Sequence, residues 1–124
     1  MATQSTRHNV DDSIEREIQE KGKTAPRITP ADIEAAIVGE VYFTGEQAVT
    51  RHDGFVRDQY KPLKYLTFSV LILKNGFTVT GESACASPEN FDAEIGRKIA
   101  RQNALAKIWP LEGYLLKQRL HEGS

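Results

Sequence analysis

The stretch Leu66–Gly81, LTFSVLILKNGFTVTG, decides how the rest of this chain is read. Two runs of strand-forming residues flank Lys74-Asn75-Gly76-Phe77, and Asn75 and Gly76 are residue types that tolerate the positive φ angles of a two-residue type I′ turn. The pattern predicts an antiparallel hairpin over Leu66–Cys85, with Leu73 opposite Thr78, Ile72 opposite Val79, Val70 opposite Gly81 and Leu66 opposite Cys85. In that register one face collects Leu66, Phe68, Val70, Ile72, Phe77 and Val79, and is the expected core. The other carries Thr67, Ser69, Thr78, Thr80 and Glu82, with Leu71 and Leu73 as apolar exceptions. Gly81 has no side chain, which leaves room for another backbone to approach or for a bulge.

Downstream, Ser87-Pro88-Glu89-Asn90 has the composition of a helix start, with Ser87 as cap, Pro88 at the first position and Glu89 in the first turn. A long helix is expected over about Pro88–Trp109. Its stripe Phe91, Ile95, Ile99, Ala106 and Trp109 would cover the apolar face of the hairpin. Gln102 interrupts the stripe; Gly96 and Asn103 beside it mark either a polar seam between subunits or a close approach of another element. Pro110 is expected to end the helix and LEGYLLKQRL (Leu111–Leu120) to resume as a short C-terminal one, with His121–Ser124 frayed.

Upstream, Thr29-Pro30-Ala31-Asp32 predicts a short helix that stops at Gly39, followed by a strand at Val41–Thr44. Residues Met1–Arg27 read as a polar arm, mobile unless docked. Ile14 and Ile18 give its only helical signal, with Asp12 as a cap and Gly22 as a stop. Gly45–Lys64 lacks a sustained period and reads as a long excursion. The expected fold class is α+β: a small antiparallel sheet under one long helix, in a single domain over residues 28–120.

A chain of 124 residues with 40% hydrophobic and 27% charged content suits one soluble domain. No apolar run approaches the roughly 20 residues that span a bilayer, and the opening MATQSTRHNVDD lacks the layout of a secretory signal. No membrane association is expected, and the cytoplasm is the default location. The single cysteine, Cys85, cannot form an intramolecular disulfide. A net charge of −1 offers no broad attraction to nucleic acid.

The run LKNGFTVTGESACASPENFDAEIGRKIARQNALAKIWPLEGYLLKQRL, with APRITPADIEAAI upstream, resembles a family of small tailed-phage proteins named for members in coliphage N-four and Shigella phage Sf-six. The resemblance spans roughly Ala25–Leu120 and weakens between Gly45 and Lys64. It implies a phage or prophage origin and action inside an infected bacterium, in the host cytoplasm. It implies no catalytic residue.

Several residues could carry chemistry, and each has a structural alternative. Cys85 lies just before a helix start, which favours a thiolate nucleophile, yet the predicted register puts it on the core face as a small hydrophobe. His8, His52 and His121 have no metal-ligand spacing with it or with one another, so no metal or other cofactor is expected. Arg97 and Arg101, one turn apart, form either a cationic ridge for an anion or the basic half of a helix sorted by its dipole. The amides at Ser87–Asn90 attract negative charge, opposed by Glu82 and Glu89. Within the long loop, Arg51, Phe55, Arg57 and Tyr60, beside His52 and Lys61, form a basic and aromatic mixture suited to stacking on a ring.

The leading reading is a phage accessory protein that binds without catalysis, as a counter-defence or takeover factor. Its target would be a host protein or a nucleotide-derived signal held between subunits of a homo-oligomer. Leu71, Leu73, Gln102 and the apolar terminal helix motivate the oligomer. The competing classes are an enzyme using Cys85 or Glu82 and Glu89, and a nucleic-acid binder, for which the sequence lacks a basic surplus.

Overall fold

The computed structural model describes residues 3–123, and Met1, Ala2 and Ser124, at the ends of the expected arm and tail, lie outside the described residues. The elements run α1 (Thr3–Glu20), α2 (Pro30–Ala35), β1 (Ile37–Thr44), α3 (Gly45–Val49), β2 (Leu66–Leu73), β3 (Thr78–Ala84) and α4 (Ala93–Glu122), with 3₁₀ segments at Asp58–Tyr65 and Pro88–Asn90. Among the described residues the strands form one antiparallel sheet in the order β1-β2-β3, and α4 packs across β2 and β3. The α+β class expected from the sequence is the class observed.

The hairpin is where expectation and structure part. Leu73 and Phe77 close the turn, with the Leu73 amide donating to the Phe77 carbonyl at 2.8 Å and the Gly76 amide donating to the Leu73 carbonyl at 2.8 Å. The loop therefore has three residues, Lys74-Asn75-Gly76. Only Gly76 takes a positive φ, of 88°, while Asn75 uses its side chain to accept the Phe77 amide at 3.0 Å. This is the type I turn with a glycine bulge, which an Asn-Gly pair serves as well as the two-residue loop. One extra loop residue shifts the register by one, so Ile72 faces Thr78, Leu71 faces Val79, Ser69 faces Gly81 and Leu66 faces Ala84. A slip of one exchanges the faces of the second strand relative to the first.

The core consequently lies on the other face of β2. Leu71, Leu73 and Val79 are buried with Ile33, Ala104 and Ile108, and small residues extend this face at Thr67, Ser69, Gly81 and Ser83. The face expected to be the core, with Phe68, Val70 and Ile72 beside Val41 and Phe43 of β1, carries no long helix and is half-buried to exposed. Phe43 and Phe68 stack across the strand pair, with ring centroids 5.3 Å apart.

Helix α4 meets the sheet through small residues. Gly96, Ala100 and Ala104 are buried in place of the expected Phe91–Ile95–Ile99–Ala106–Trp109 stripe, of which Ala106 is exposed and the rest half-buried. A methyl at Gly81 would overlap the Ala100 carbonyl oxygen and the Ala104 amide nitrogen, and one at Gly96 would press on the Thr67 hydroxyl. Of the two expectations at Gly81, a close approach and a bulge, the first is met, by the backbone of α4.

Three element boundaries also differ. The helix cap is Asp92, whose carboxylate accepts the Ile95 amide at 3.1 Å; Ser87 makes no side-chain cap and precedes only the short 3₁₀ turn. Pro110 does not break α4. It projects about opposite buried Ile108, and the carbonyl of Ala106, which loses its helical donor, lies on the solvent side where water can serve it. Helix α2 stops at Ala35 rather than Gly39 because the Ala36 carbonyl accepts the Lys74 amide at 3.0 Å and Ile37 begins the ladder with Leu73. Val38 sits at the resulting irregularity, 64% exposed, and Gly39 packs on Ile72. Thr29 caps α2 in a reciprocal box with Asp32, as its sequence indicates.

The arm forms α1, which lies against α4 and α2. It ends in a Schellman arrangement: Gly22, at φ 67°, donates to Gln19 and Lys23 donates to Ile18, each at 3.1 Å. Asp12 lies within the helix rather than at its start. Arg27 clamps the Glu15 carboxylate with two bonds of 2.7 and 2.6 Å, which holds that carboxyl down at about 2.

Candidate functional site

Arg101 projects from α4 toward α2 and the edge strand β1. Its guanidinium grips Glu34 with bonds of 3.0 and 2.7 Å and donates through Nε to Glu40 at 2.7 Å, while Tyr42 donates its hydroxyl to the same Glu40 oxygen at 2.7 Å. The planar fork suits this two-carboxylate grip, and it ties three elements together. Hydrogen bonding from Arg101, then from Tyr42, lowers the Glu40 carboxyl below its ordinary value. Burial first, and then Glu40, raises the Tyr42 phenol. Arg97, one turn earlier, is exposed, so the two arginines face different surroundings.

The remaining loop and turn candidates lie on the connections at the opposite end of the sheet, where the long loop enters β2 and β3 leaves for α4. The loop is more ordered than its composition indicates. Thr44-Gly45-Glu46-Gln47 makes a capping box for α3, a signal the sequence itself carries. Gly45 then packs on Leu63 of the 3₁₀ segment. Arg51, Asp53 and Phe55 form a local turn: the Arg51 amide donates to the Phe55 carbonyl at 2.9 Å, and the Arg51 guanidinium stands 5.4 Å from the Phe55 ring centroid. Arg57 is exposed at the head of the 3₁₀ segment, its carbonyl accepting the amide of half-buried Tyr60 at 2.9 Å.

Loop and turn are joined through Tyr65, Cys85 and Phe91. The Cys85 amide donates to the Tyr65 carbonyl at 3.1 Å, and Tyr65 meets Phe91 edge to face with centroids 5.5 Å apart. Lys64 lies 5.3 Å over the Tyr65 ring. Ser87 and Asn90 are exposed on the connecting turn, which is stitched by the Asn90 amide to the Ser87 carbonyl at 2.9 Å. Tyr65, Phe91 and Lys64 thus meet where the loop and the turn join. Tyr65 and Phe91 lie on either side of the whole hairpin in sequence, so their pairing is visible only in three dimensions.

Cys85 is half-buried just past the end of β3 and outside the core that the two-residue register assigned it. Its thiol donates to the Ser87 carbonyl at 3.2 Å. Glu82 is exposed on the sheet face away from α4, and Glu89 is exposed on the 3₁₀ turn. His52 and His121 are exposed, and the His8 side chain lies outside the described residues. Among the described residues no group of three His, Cys, Asp or Glu side chains is placed to hold a metal ion, and no helix is long and apolar enough to cross a membrane.

Comparison with known proteins places this architecture in a lineage. No match was found among curated proteins or solved structures. Residues 28–120 match the family described as Phage protein (N4 Gp49/phage Sf6 gene 66) family, a span that takes in every strand, α4 through Leu120 and the loop–turn junction, and leaves out α1. The chain belongs to that phage protein family.

Proposed function

We propose that this phage-family protein acts inside an infected bacterium by binding, without chemistry on its ligand, as a counter-defence or takeover factor. The ligand class favoured is an anionic, ring-bearing small molecule such as a nucleotide-derived signal. One observation carries the reading: the loop and the β3–α4 turn meet at the Tyr65–Phe91 pair, with Lys64 on the Tyr65 ring and Ser87 and Asn90 exposed beside it. Aromatic faces accept a base by stacking, cations accept phosphate, and the turn's polar groups supply directional contacts. Arg51, Phe55, Arg57, Tyr60 and Arg97 are the further candidate contacts. Arg101 supports it indirectly, by fixing α4 against β1.

Purified protein incubated with a panel of nucleotide second messengers, then washed, denatured and re-extracted, tests the reading. Retention of one messenger and its recovery unaltered is the expected result, with Lys64→Ala and Arg97→Ala weakening retention. Failure to retain any nucleotide would sink the ligand class. Recovery of a converted product that Cys85→Ser or Glu89→Gln no longer makes would favour the enzyme instead.

A host protein is the second reading, and the uncovered sheet face favours it. Val41 is 49% exposed there, with Phe43, Phe68, Val70 and Ile72 around it, an apolar surface of the kind proteins dock on. Affinity capture from infected cells with wild type and Val41→Lys distinguishes the two. A stoichiometric partner lost in the variant is expected on this reading; equal capture by both chains overturns it.

A further inference from the structure

Helix α4 is longer than the sheet it covers. Its 30 residues run about 45 Å, whereas the 8 residues of β2 run about 27 Å, so the last turns project past the hairpin tip. These turns carry exposed apolar side chains among their charges. Tyr114 is 74% exposed, Leu120 44% and Leu115 40%. Beneath them lies a groove of about 700 Å³ walled by α2 and the hairpin tip, continuous with the core through Leu73 and Leu111.

The projecting segment has a pattern suited to one particular occupant. Leu111, Glu112, Leu115, Leu116, Arg119 and Leu120 fall within one half of the helix circumference. Laid antiparallel against an identical helix and centred between Leu115 and Leu116, the segment sets Glu112 against Arg119 along the middle of the contact, with Leu115 and Leu116 packing diagonally beside the twofold axis and Leu111 and Leu120 at the opposite margins. Twofold symmetry makes the Glu112–Arg119 pair twice. The parallel arrangement in register would instead oppose Glu112 to Glu112 and Arg119 to Arg119.

We infer that the projecting end of α4 is a self-association surface, and that a second copy of this chain packs there as an antiparallel, twofold-symmetric helix pair closing the groove. The pairing is independent of the ligand surface proposed above, which lies at the other end of α4.

Charge exchange tests it on the full chain, by sedimentation across a concentration series. Wild type is expected to dimerise. Glu112→Arg and Arg119→Glu each place like charges opposite one another and should weaken the dimer by about tenfold or more. The double exchange should restore it, and mixing the two single variants should give a heterodimer. Leu115→Lys should be monomeric while keeping the helical circular dichroism of wild type. A chain that is monomeric at every concentration overturns the inference, as does a dimer indifferent to both single exchanges. Neither result bears on nucleotide retention.

Discussion

The two faces of the sheet are built from different residues, and the difference runs against a simple ranking by hydrophobicity. The face under α4 is largely small: Thr67, Ser69, Gly81 and Ser83 meet Gly96, Ala100 and Ala104, with Leu71, Leu73 and Val79 toward the hairpin tip. The face without a long helix holds Phe43, Phe68, Val70 and Ile72. Small residues let the helix backbone approach the strand, and close packing of many atoms replaces the burial of a few large side chains. The larger apolar groups are left on the face that no long helix covers.

The sharpest way to break this contrast is to add one carbon where the backbones meet. Gly81→Ala should cost about 4 kcal/mol, because the new methyl meets main-chain atoms of α4 that cannot rotate away. Urea denaturation would measure it, and a loss below about 1 kcal/mol would show that the helix shifts freely. Leu71→Ala, at a site with 0% exposure, should cost about 3 kcal/mol through the cavity it leaves.

The ionic tie between α4 and β1 is a smaller effect. Arg101→Ala should cost about 1–2 kcal/mol at neutral pH, discounted for partial exposure of all three partners. Its pH dependence has a defined sign. The Glu40 carboxyl is lowered in the folded chain by its bond from Arg101, so its stabilisation is complete above the ordinary carboxyl range and fades as pH falls through the lowered folded value. Acid melts of Arg101→Ala should accordingly be flatter over that window than those of wild type.

Opposite swaps on the two faces give the smallest changes. The Thr67 hydroxyl is buried with no hydrogen-bond partner among the described residues, so Thr67→Val should stabilise by about 1 kcal/mol in a thermal melt. Val41→Thr, on the open face, should stay within about 0.5 kcal/mol of wild type. Matching losses from both would dissolve the distinction between the faces.

Much of this molecule is legible in order and type of element. Thr29-Pro30-Ala31-Asp32 announces α2, the alternating runs around Asn75-Gly76 announce the hairpin, and Gly81 announces a close approach. Less of the candidate surface is legible. Arg101 reads as a free cation until Glu34 and Glu40 arrive from distant elements, with bonds of 2.7 Å to each. The Tyr65–Phe91 pair spans a whole hairpin in sequence. Pro110 reads as a helix end because the rule describes a buried turn, while here the freed carbonyl faces water.

By itself, then, the sequence determined that a hairpin forms, that a long helix follows it and that this belongs to a phage lineage. It could not determine which face of the hairpin the helix would take, because Asn75-Gly76 satisfies two loop lengths with comparable local geometry. Tertiary packing decided: with a three-residue loop Gly81 sits opposite Ser69 on the side of Leu71 and Val79, and there alone can the backbone of α4 come close enough to bury Ala100 and Ala104 completely.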